Sequence, residues 1–115
     1  MGGHGRRDGA LFALAWTTGL RRSEIASLTF DDIKSVNDYW ILTVHGKGNK
    51  VRQAYLYAAA TWLNHWLTQR TRDAGPLFCR IFKGGKVGRG QRLTVEGLAT
   101  ILAKRCLEAA LAEPL

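Results

Sequence analysis

TTGLRRSEIASLTFDDI, residues 17–33, decides how this chain is read. Gly19 is a helix stop. Two adjacent arginines follow it, and Ser-Glu-Ile opens another helix over 22–28. Neighbouring guanidinium groups repel one another unless something negative lies close by. Either both face water, or one is aimed at an anion. Glu24 falls in the first turn of the new helix, where a carboxylate suits the positive end of the helix dipole. Ile25 and Leu28 share one face and point it at a core.

Upstream, residues 8–18 (DGALFALAWTT) are densely apolar at Leu11, Phe12, Leu14, Ala15 and Trp16. They predict a largely buried helix with Asp8 as N-cap. Downstream the period changes to two. In 39–45, YWILTVH, the residues Trp40, Leu42 and Val44 fall on one side. GKGN at 46–49 signals a hairpin, and 50–57 alternates Ala54 and Leu56 against Val51, Tyr55 and Tyr57. Helical period returns at 58–70 through Ala59, Trp62, Leu63, Trp66 and Leu67, so both tryptophans read as core. Residues 74–82 read as a turn and an extended run, and 83–92 (KGGKVGRGQR) as a mobile basic loop. Thr94 caps a last helix striped by Val95, Leu98, Ala99, Leu102, Cys106 and Ala109, with Pro114 as its stop. Residues 1–5 read as a flexible, vector-like N-terminus, and 6–115 as one domain without internal repeats. The predicted fold is α+β and mostly helical: about four helices with a small antiparallel hairpin or three-stranded sheet.

The composition narrows the function. The 115 residues suit a single core. Lys and Arg total 17 against 9 Asp and Glu, a net charge of +8, which favours a polyanionic partner, nucleic acid first. Cys79 and Cys106 lie far apart in apolar runs and read as buried thiols rather than a disulfide. His4, His45 and His65 are scattered and make no metal motif, and nothing points to a cofactor. No apolar run approaches the roughly twenty residues of a membrane span, and no signal peptide is evident, so the default location is cytoplasmic.

Two cations stand on rigid turns: Arg21 between two helices, and Lys47 on a glycine-flanked hairpin tip. Thr18, Gly19, Arg21, Ser23, Glu24, Ile25, Leu28, Phe30, Asp32 and Ile33, followed by Gly46, Lys47, Gly48, Asn49, Lys50 and Arg52, resemble the two boxes of the tyrosine recombinases, or phage-type integrases. The resemblance covers about residues 6–112 and implies the first part of a catalytic domain of the DNA breaking-rejoining fold.

It also implies roles. Arg21 would clamp the scissile phosphate of double-stranded DNA. Lys47 would be the general acid for the leaving 5′ oxygen, and Glu24 would brace the site by bonding Arg21. Arg22, Lys50, Arg52, Lys83, Lys86, Arg89 and Arg92 would meet DNA phosphates. The family's later H-x-x-R box and tyrosine nucleophile are expected downstream of the last helix and are read here as absent. Tyr39, Tyr55 and Tyr57 lie on the hairpin. The chain is therefore expected to be an inactive fragment of a DNA recombinase. Two alternatives stand beside that: a non-catalytic DNA-binding module, and a fragment that forms a homodimer through apolar surface exposed by truncation.

Overall fold

The computed structural model describes residues 4–37 and 39–112, with side chains as far as Glu108. Residues 1–3 of the expected flexible N-terminus, the Pro114 stop and the side chain of Ala109 lie outside the described residues. The elements are α1 (Gly5–Thr18), α2 (Arg22–Ser27), a 3-10 turn (Phe30–Asp32), β1 (Ile33–Val36), β2 (Tyr39–His45), β3 (Val51–Leu56), α3 (Ala58–Arg70), β4 (Cys79–Ile81), β5 (Val87–Arg92) and α4 (Val95–Ala112).

α1 starts at Gly5 and not at Asp8. Asp8 does not cap. It is buried, and its two oxygens take Arg7 at 3.0 Å and Arg105 of α4 at 3.3 Å, which ties the first helix to the last. Arg7 also donates to the Cys79 carbonyl, at 3.2 Å. α1 ends where expected, with Gly19 in the left-handed region at φ 67°. Its inner face, Ala10, Leu11 and Leu14, packs on Ala59, Leu63, Trp66 and Leu67 of α3.

Two aromatics differ from the expectation of burial. Trp16 is 79% exposed and Trp62 is 51% exposed. Apolar density on α1 exceeds what one inner face can hold, so Trp16 falls on the outer side. Trp62 sits at the edge of its stripe. The Trp66 indole is fully buried and donates to the Leu77 carbonyl at 2.8 Å.

β1, β2 and β3 form an antiparallel sheet in that order. The pairing Leu42 with Ala54, and Trp40 with Leu56, puts the alternating apolar residues on the core side. Residues 83–92 are not a mobile loop. Lys83–Gly85 make a tight turn, and β5 pairs with β4 across a register shift between Cys79 and Arg80. Backbone hydrogen bonds impose this strand, because V-G-R-G-Q-R has no alternating apolar residues to announce it.

Residues 75–77 close against 28–30. The Leu77 amide donates to the Leu28 carbonyl at 2.9 Å, and the Phe30 amide to the Gly75 carbonyl at 2.9 Å. Beneath them Arg70 is fully buried and donates to the carbonyls of Thr71, Asp73 and Pro76. Those three bonds satisfy carbonyls that follow the end of α3. Cys79 is buried as expected, whereas Cys106 is exposed on α4.

Candidate active site

Arg21 occupies the N-cap position of α2 in extended conformation, φ −70° and ψ 151°, with its side chain exposed. A helix start leaves backbone N–H groups without partners. Here Glu24 Oε1 accepts the Arg21 amide at 2.8 Å. An arginine cannot return the favour, having no acceptor. The carboxylate serves a second partner instead: Arg52 of β3 donates through Nη1 at 2.7 Å and Nη2 at 3.1 Å. This two-pronged bond, then the Arg21 amide, holds the Glu24 carboxyl below its ordinary value of 4.5 despite the opposing effect of burial.

Glu24 therefore does not bond the Arg21 guanidinium, as the sequence suggested. It fixes the Arg21 backbone and leaves the guanidinium free to point elsewhere. The hairpin neck closes on the same carboxylate. A Cβ at Gly46 would lie 3.4 Å from Glu24 Oε2 and 3.5 Å from the Lys50 carbonyl. The neck itself is closed by the Gly46 amide bonding the Lys50 carbonyl at 2.7 Å.

Lys47 follows at the tip, exposed, with Gly48 at φ 72° and Asn49 at φ 61° turning the chain. A second carboxylate works in parallel. Asp32 accepts the Thr29 amide at 2.8 Å and meets His45 Nε2 at 3.1 Å. Both ends of the hairpin neck are thus pinned to the N-termini of short helical turns. Arg21 and Lys47 leave from two turns that converge on one carboxylate. Among the described residues, no carboxylate forms an ion pair with either cation. Both cations are exposed, and a guanidinium and an ammonium are the planar and the point-charge donors that suit a phosphodiester.

The other predicted cations divide into two groups. Arg22, Lys50, Lys83 and Lys86 are exposed. Arg22 stands with Leu20, Arg21, Ser23 and Val95 around an open depression beside the start of α4. The remaining three already have internal partners. Arg52 holds Glu24. Arg89 pairs with Asp73 at 2.6 Å, and the Thr71 hydroxyl and Arg89 together lower the Asp73 carboxyl. Arg92 donates through one nitrogen to the Ala26 and Leu28 carbonyls at the end of α2. Sequence charge alone cannot separate a cation that faces solvent from one that staples two elements.

The H-x-x-R spacing, read as absent, does occur once, at His4–Arg7. It lies before the first box, and Arg7 is buried against Asp8 and the Cys79 carbonyl, so it adds nothing to this site. Asp32 and His45 have no site role that the sequence discloses. The D…H pair carries no local signal, because 13 residues separate its members.

Comparison with known proteins finds a matching family and relatives of this chain. The model of the phage integrase family matches residues 3–115. The chain is 38% identical over 102 residues to a putative integrase/recombinase, y4rC, of Sinorhizobium fredii, covering 87% of this chain and 28% of that one. It is 40% identical over 92 residues to the tyrosine recombinase XerC of Pseudomonas aeruginosa, covering 77% and 28%. Its fold is similar to that of the XerH site-specific recombinase, solved with a palindromic difH substrate in a post-cleavage complex. The TM-score is 0.74 at 25% identity, over 100% of this chain and 32% of that one. The chain thus spans under a third of the length of these relatives.

Proposed function

The chain belongs to the phage integrase family, and from that premise we propose that it is the phosphate-gripping part of a site-specific DNA recombinase. It acts on double-stranded DNA in the cytoplasm. One observation carries the reading: a single buried carboxylate, Glu24, holds both the backbone of Arg21 and the neck of the hairpin that bears Lys47. Arg21 clamps the non-bridging oxygens of the scissile phosphate, where charge accumulates as the phosphoryl group transfers. Lys47 gives a proton to the leaving 5′ oxygen. Arg52 positions Glu24, and Arg92 holds the far end of α2 in place. Arg22 and Lys50 contact phosphates on either side of the scissile one, and Arg89 contributes at the margin.

Tyr39, Tyr55 and Tyr57 stand on the sheet and at the start of α3, and none is assigned as nucleophile. By itself this polypeptide binds without forming a phosphotyrosine bond. Two measurements test the reading. Arg21→Ala, an exposed site, should leave the fold intact by circular dichroism and lower the magnitude of the log K against log [salt] slope on duplex DNA by about 0.9. An unchanged slope refutes the clamp. A nicked suicide duplex should give no covalent adduct on a denaturing gel, and an adduct refutes the absence of a nucleophile.

A second reading, self-association, is favoured by one feature. Phe12, Ala13, Trp16, Ala59 and Trp62 line an apolar groove of about 660 Å³ between α1 and α3. A second copy seated there would cover Trp16 and Trp62. Sedimentation velocity should show a dimer that Trp16→Ser disperses. A monomer at all concentrations eliminates this reading.

A further inference from the structure

The two hairpin tips are conformational copies. In the first, Gly46 is extended (φ −94°, ψ −172°), Lys47 begins the turn, Gly48 and Asn49 take positive φ, and Lys50 returns to φ −77° and ψ 131°. In the second, Phe82 is extended (φ −87°, ψ 169°), Lys83 begins the turn, Gly84 and Gly85 take positive φ, and Lys86 returns to φ −72° and ψ 125°. Each loop is closed by the same bond, Gly46 amide to Lys50 carbonyl at 2.7 Å and Phe82 amide to Lys86 carbonyl at 2.8 Å. The four residues K-G-N-K and K-G-G-K thus present two exposed lysines apiece at matching places.

The second tip has a base that the first lacks. Arg80 and Phe82 lie two residues apart on one face of the β4–β5 hairpin, and the Arg80 guanidinium sits over the Phe82 ring, 5.8 Å from its centroid. Gly88 is the register partner of Arg80. A Cβ there would lie 2.6 Å from the Phe82 ring, so the missing side chain is the space the ring occupies. Arg80 is exposed, and among the described residues neither it nor Lys83 nor Lys86 pairs with a carboxylate. A guanidinium stacked on a ring is pre-oriented, and its planar edge remains available to a phosphate.

We propose that Arg80, Lys83 and Lys86, with Phe82 as platform, form a second phosphodiester grip, engaging the backbone of the same duplex at a point apart from the Arg21–Lys47 site. This rests on the DNA-binding reading above and adds Arg80, which charge and spacing in the sequence did not single out. The grip is non-catalytic: it adds affinity and fixes the angle at which the duplex crosses the domain.

The test uses the 115-residue chain on a duplex of arbitrary sequence across a salt series. Lys83→Ala/Lys86→Ala should lower the magnitude of the salt slope by about two, at roughly 0.9 per phosphate contact. Arg21→Ala combined with this pair should lower it by about three, because the grips are separate. Gly88→Ala alters no charge but pushes the ring from its seat, and should weaken binding about two- to fivefold, the worth of a surface cation–π contact. If the lysine pair leaves the slope unchanged while Arg21→Ala lowers it, the second grip is refuted and the first reading stands. If Gly88→Ala matches the wild type while the lysine pair is weakened, the platform is refuted. If the wild-type chain binds no duplex at low salt, both readings fall together.

Discussion

Glu24 is the residue on which the site turns, and its chemistry is open to pH. Its carboxyl is held below 4.5 in the folded chain by Arg52 and the Arg21 amide. A carboxylate depressed in this way contributes its full stabilisation above its unfolded value and loses it as pH falls through the folded one. Glu24→Gln should therefore be less stable than wild type at neutral pH, and the gap should close as pH drops below 4.5. Denaturant melts along a pH series will show this, and a gap that stays constant would mean the ion pair does not carry the linkage. The same residue marks what the sequence discloses. The box motif placed Glu24 beside Arg21, and that much was legible. Its true side-chain partner lies 28 residues away on β3, and no local pattern announces an ion pair across that distance. Arg92 makes the same point: its contacts with Ala26 and Leu28 span more than sixty positions.

Elements with regular period were readable, and those held by tertiary hydrogen bonds were not. The α3 stripe, Trp62 excepted, and the β2–β3 alternation appear where the apolar residues predicted them, because burial dictates those periods. β1 has four residues, three of them exposed, and β5 carries glycines where a strand would place packing side chains. Their order comes from the ladder partner, which a linear reading does not see. The tips are different again, being determined by backbone conformation. Gly48 and Gly84 hold φ 72° and 85° with open space around them, so the penalty of a side chain there is conformational rather than steric crowding. Gly48→Ala and Gly84→Ala should each cost about 1–2 kcal/mol in thermal or denaturant unfolding. Equal losses at both tips would support their equivalence, and a loss at one alone would contradict it.

Among the described residues one core is shared by four helices and two small sheets, and Leu63 and Trp66 of α3 are fully buried in it. Leu63→Ala, fully buried in α3, the helix that packs on α1, should cost about 2–5 kcal/mol by equilibrium unfolding. A loss below that range would mean the core is looser than its burial implies. No helix among the described residues is long and apolar enough to cross a membrane. The contrast between the two thiols extends to the whole chain. Burial pushes the Cys79 thiol above its ordinary value, while Cys106 is open to solvent. A maleimide should thus attach rapidly at one position, giving a singly tagged protein without mutagenesis. The second attachment waits until the core opens, so its rate is a stopwatch for how often the fold lets go.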